Sequence, residues 1–181
     1  MLLLAASVSS AGAEVIERIL AVVDGRPVTL SEVRLLARVR GEEPKAALEV
    51  LIDERLMFRE ASRLSQAAVT REDEERALTD LRGKLGSAEQ EPEDELRRLA
   101  RRELTILKYI EFRFRPQVRV DDETVKREYA ARHGKTAEGP LSPVAEALRA
   151  ELLERALTAK IEAWIRDLRS EAEIRYNGAS P

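Results

Sequence analysis

From Pro143 to Glu171 the chain runs without a glycine, and its only proline stands at the first position. Alanine, leucine, glutamate and arginine dominate the stretch, and all four favour the helix. Proline suits the opening turn of a helix, so the spacing predicts one long helix over 143–171. At 100° per residue its apolar side chains fall on two sides rather than one. Leu153, Leu157, Ile161, Trp164 and Leu168 share one side, and Ala145, Leu148, Leu152, Ala156 and Ala159 share the other. A helix apolar on two sides needs neighbours on both, which predicts a mainly helical fold with this helix at its centre.

The segments before it supply those neighbours. Ile19 to Val23 is a β-prone run, and Asp24-Gly25 offers the positive-φ pair of a tight hairpin turn. Thr29 and Glu32 form a capping box for a first helix that Gly41 ends. Pro44 opens a second helix, expected to continue to Leu64 and to be buried over most of its circumference. Thr70 caps a third, with Glu72, Asp73 and Glu74 suiting its dipole and Gly83 and Gly86 closing it. Pro92 begins a fourth, running to Arg115, with Leu96, Leu99, Ala100, Leu107, Ile110 and Phe114 as its expected core stripe. Asp121 caps a fifth, carrying Val125 and Tyr129. Ala172 to Tyr176 can form a short terminal strand.

Composition narrows the chemistry. The chain has 181 residues, 44% hydrophobic and 36% charged, which is too apolar for disorder and too charged for a membrane bundle. Its net charge is −3 with both signs interspersed, so no basic field points to nucleic acid. There is no cysteine, which removes disulfides, thiol nucleophiles and thiolate metal sites. The single histidine, His133, stands beside Gly134 without a partner for a two-histidine site. Glu91, Glu93, Asp94 and Glu95 resemble a carboxylate cluster, but they open a helix, where acidic residues offset the dipole. Arg97, Arg98, Arg101, Arg102, Arg113 and Arg115, interleaved with Glu103 and Glu111, read as a solvated face with salt bridges. No metal, cofactor or small-molecule substrate is expected.

Leu2 to Val8 is almost continuously apolar and is followed by Ala11-Gly12-Ala13. That is the pattern of a secretory signal cleaved after Ala13, too short to span a bilayer, leaving 14–181 as a single domain. Arg132 to Leu141, with Gly134, Gly139 and Pro140, reads as a linker.

Read in order, these segments resemble the N-terminal chaperone domain of the SurA family. The matching blocks are Leu20 to Thr29, with its hairpin; Ala47 to Leu56 with Glu60-Ala61; Leu96 through Asp121-Asp122-Glu123-Thr124-Val125 to Tyr129; and Leu148 through Ile161, Trp164 and Leu168 to Ile174. The resemblance implies about six helices and a small sheet that joins an N-terminal hairpin to a C-terminal strand. It also implies an extracytoplasmic, periplasmic chaperone of the holdase type that binds unfolded or nascent outer-membrane or secreted polypeptides. Relatives carry parvulin prolyl-isomerase domains where this chain has only 132–141. That interval is far below the ~50 residues of even a small domain, so isomerase activity is not expected. A dedicated adaptor for one specific partner is the alternative.

Two aromatics stand apart. Tyr109 and Phe112 point roughly 140° to 160° from the expected core stripe of their helix. Exposed apolar surface usually marks a binding site, which makes these two the expected client-binding residues.

Overall fold

The computed structural model describes residues 17–86, 91–133 and 143–178. The proposed signal segment and residues 134–141 of the linker lie outside them. Strand β1 (Ile19–Val23) turns back through Asp24 and Gly25, with φ of 48° and 78°, into β2 (Arg26–Thr29). Positive φ at both positions is what a two-residue hairpin with the natural strand twist requires. The chain's other end supplies β3 (Ile174–Tyr176), antiparallel to β1 with Val23 opposite Ile174 and Ala21 opposite Tyr176. The sheet order is therefore β2-β1-β3, and the two ends of the fold meet in it. Leu20, Ala21 and Val23 are buried, so the central strand is covered on both faces.

Helix α1 (Leu30–Arg40) starts at the Thr29–Glu32 capping box and ends at Gly41, whose φ of 66° suits glycine. Helix α2 (Pro44–Ala61) begins on its proline but stops short of Leu64. A single 3-10 turn, Ser65–Ala67, then leads to α3 (Arg71–Leu85). Thr70 caps α3 by accepting from the Asp73 N–H at 3.2 Å. Gly86 ends that helix, while Gly83 lies inside it, contrary to expectation. Helix α4 (Glu93–Arg113) lies against α2 and α3, α5 (Asp122–His133) follows, and α6 (Pro143–Glu171) returns to the sheet. The fold is mainly helical, with six helices and a three-stranded antiparallel sheet among the described residues.

Two apolar clusters hold these elements. The larger gathers the sheet, α1 to α4 and the end of α6, with Leu20, Leu36, Leu51, Ile52, Leu56 and Leu99 among its fully buried side chains. The smaller holds Val125 of α5 against Ala145, Leu148 and Leu152 of α6. Helix α6 is thus not the sandwiched centre that its two apolar sides suggested. It uses them one after the other, the first half on α5 and the second, through Ile161, Trp164 and Leu168, on the main core.

Charged side chains fasten the seams. Glu54 is buried and receives Arg102 at 2.8 Å and Arg40 at 2.5 Å, tying α2 to α4 and α1. Arg169 reaches Asp53 at 2.5 Å and Glu49 at 3.0 Å, which pins the end of α6 to α2.

Candidate functional site

Tyr109 and Phe112 both lie on the last turns of α4, where the helix changes neighbours. Along its first half, Arg97 and Arg101 pair with Glu74 of α3, and Arg102 pairs with Glu54 of α2. Lys108 then reaches Asp73 at 2.6 Å and the Ala68 carbonyl at 3.0 Å. The Lys108 ammonium, ahead of the Thr70 cap, holds the Asp73 carboxyl well below the usual carboxylate range. Past that point α4 meets α6 through aromatic rings. Tyr109 stacks on Trp164 with centroids 4.9 Å apart and planes 17° from parallel. Phe114 closes the group, 5.1 Å from Trp164 and edge-on to Tyr109 at 5.9 Å. Arg115 bonds Glu111 at 2.6 Å and Glu154 at 2.9 Å, bracing the same junction with charge.

This arrangement separates the two expected client-binding residues. Tyr109 is half-buried and belongs to the α4–α6 contact. Phe112, one turn on, is 51% exposed. The core stripe is also displaced. Leu107, placed in it by periodicity, is 53% exposed, and Ile106 is buried instead. A stripe at 100° per residue assumes one constant neighbour, and α4 packs between α2 and α3 before its last turns meet α6. Leu107 and Phe112 are thus exposed on the helix whose Tyr109 joins Phe114 and Trp164 in a half-buried trio.

The other singled-out groups find structural partners. Glu91 pairs with Arg38, and Glu93 takes Arg97 at 2.6 Å and Arg82 at 3.1 Å, across to α3. His133 is the last residue of α5. Among the described residues no set of His, Asp or Glu side chains could hold a metal ion, and no helix is long and apolar enough to cross a membrane.

One feature escaped the sequence reading. Beneath the β1–β2 turn, a cavity of about 320 Å³ opens between α2 and α4. Arg26 of β2, Arg55 and Arg59 of α2, and Arg98, Arg101 and Arg102 of α4 line it. Only Asp24 and Glu32 face them among the lining acids, paired with Arg59 and Arg55. These arginines come from three elements up to 76 positions apart, so no local spacing announces them.

No protein-family model and no curated protein sequence matches the chain. Among solved structures, it is similar to a chain described with the SurA-like chaperones of Campylobacter jejuni, the virulence factor PEB4 and the periplasmic protein Cj1289. The likeness covers 89% of this chain and 99% of that one, at 15% identity and a TM-score of 0.48. A likeness of that size leaves function to be argued from the residues themselves.

Proposed function

We propose that this protein is a non-enzymatic, extracytoplasmic chaperone of the holdase type, which binds unfolded exported polypeptides reversibly through the apolar end of α4. The observation that carries the reading is the exposure of Phe112 and Leu107 on the turns of α4 that also carry Tyr109, stacked on Trp164. A ring left in water forgoes about 1.5–3 kcal/mol of burial, which an extended apolar segment recovers by covering it. Contact of this kind has few directed polar groups, so it discriminates little between clients. The charged residues around it, Glu111, Arg113 and Arg115, keep an occupied surface soluble. The order of the sequence blocks that resemble the SurA N-terminal domain, with a hairpin and closing strand sharing one sheet, supports the same reading.

The deciding experiment measures suppression of aggregation of an unfolded outer-membrane protein by wild type, Phe112→Ser and Leu107→Ser. Weaker protection by variants that melt like wild type supports the proposal. Undiminished protection by both would remove the surface from the mechanism. Crosslinking in the native compartment separates a broad client range from a single partner, and a single stoichiometric partner would mean an adaptor.

A further inference from the structure

The arginine-lined cavity carries an inference of its own, separate from the apolar end of α4. Four of its six guanidinium groups are already answered by a carboxylate. Arg55 pairs with Glu32, Arg59 with Asp24, Arg101 with Glu74 and Arg102 with Glu54. Arg26 and Arg98 have no such partner among the described residues. Two Nε–H donors, on Arg55 and Arg59, are buried without an acceptor. A buried donor left unmade is costly, and buried N–H groups are nearly always satisfied. Burial weakens the hold of Arg55 on its proton, and the neighbouring Arg102, Arg26 and Arg98 weaken it further, against the opposing pull of Glu32. The site thus holds an excess of positive charge and unused donors.

The remaining wall is apolar. Val23, Leu56 and Phe58 line the same cavity. Phe58 and Arg101 also line a second cavity of about 340 Å³, whose other walls include Leu64, Ala67, Ala68 and Val69. The two spaces therefore share a border at Phe58 and Arg101, cationic in the first and mixed in the second, where Ser62, Ser65 and Thr105 stand beside the apolar walls. A bare inorganic anion would use only the first. A guanidinium matches a carboxylate in a bidentate fork, and an apolar group beside that carboxylate would find Phe58 and the second cavity.

We propose that this cavity binds a carboxylate borne on an apolar group, with Arg26 and Arg98 as the cations that recognise it. The carboxylate comes either from the end of a polypeptide or from a free organic acid, and the test separates them. Binding of alanyl-alanyl-phenylalanine, its C-terminal amide, phenylbutyrate and inorganic phosphate to the full chain is measured by calorimetry at low and high salt. The free peptide is expected to bind, the amide about tenfold more weakly or worse, and the affinity to fall as salt screens the charges. Binding of the free peptide without phenylbutyrate assigns a chain end, and binding of phenylbutyrate as well admits a free acid. The double variant Arg26→Gln, Arg98→Gln should lose the binding while melting like wild type, because neither residue holds an ion pair among the described residues. If that variant fails to fold, Arg98→Gln alone must weaken the free peptide. Failure of both carboxylates to bind, equal binding by the amide, phosphate binding as tightly as either carboxylate, or full affinity in the folded variants would each overturn the inference. Phe112→Ser should leave this binding unchanged, so its outcome is independent of the chaperone assay.

Discussion

At Phe112 and Tyr109 two aromatic rings one turn apart carry different roles, and single substitutions separate them. Tyr109→Ser removes a ring stacked on Trp164 and edge-on to Phe114, so a loss of about 1–3 kcal/mol is expected in denaturant unfolding. Phe112→Ser opens no cavity and should stay within about 0.5 kcal/mol of wild type. Comparable losses from both would mean that Phe112 is also part of the fold. The buried ion pair makes the sharpest demand at this scale. Glu54 and Arg102 have side chains only 4% and 9% exposed. Truncating one partner strands the other's charge, so Glu54→Ala should cost about 3–5 kcal/mol, whereas removing both with apolar residues should cost far less. A double-mutant cycle measures the difference, and additive losses would contradict the pairing.

Among the elements, β3 and α5 are fastened by few contacts each. Strand β3 adds three paired residues to β1, and Tyr176 donates its hydroxyl proton to Glu49 at 3.1 Å. A two-stranded hairpin is marginal alone in water, so truncation after Ser170 should lower the melting temperature by several degrees. An unchanged curve would show that the ends do not support one another. Helix α5 is held to α6 partly through Arg132, which reaches Glu151 at 2.7 Å. The Arg132 hydrogen bond holds the Glu151 carboxyl down to about 2. A depressed folded pKa contributes stability above the unfolded value of about 4.3 and loses it as pH falls toward 2. Between those limits the α5 amides should become more labile in hydrogen exchange, and Glu151→Gln should flatten that dependence. A variant with the wild-type pH profile would assign the acid response elsewhere.

Over the whole molecule, the two clusters differ greatly in size, and only α6 passes through both. The smaller rests on four buried residues, Val125, Ala145, Leu148 and Leu152. Local opening tracks the apolar contact that must be broken, so α5 and the first half of α6 should open well below the global unfolding free energy. Amides of α2, at the heart of the main core, should exchange only through global unfolding. Equal protection in α2 and α5 would show a single cooperative unit.

What the sequence determined by itself follows from short-range physics. Thr29 with Glu32, Pro44, Thr70, Pro92 and Gly41 place helix ends because capping and positive φ are settled within a few residues. Asp24-Gly25 places the hairpin for the same reason, and the two apolar sides of 143–171 correctly announced two sets of neighbours. Periodicity reports which residues share a side but not where along a helix each neighbour begins and stops. That is why Leu107 was assigned to the core and proves exposed, and why α6 serves its two sides in succession rather than together. Only the tertiary structure could decide that Tyr109 would find Trp164, 55 positions away, while Phe112 would stay exposed. The arginine cavity belongs to the same class. Arg26, Arg55 and Arg98 each sit in charge-balanced sequence, and an excess of positive charge exists only where the hairpin, α2 and α4 converge, because electrostatic fields add over distance in space and not along the chain.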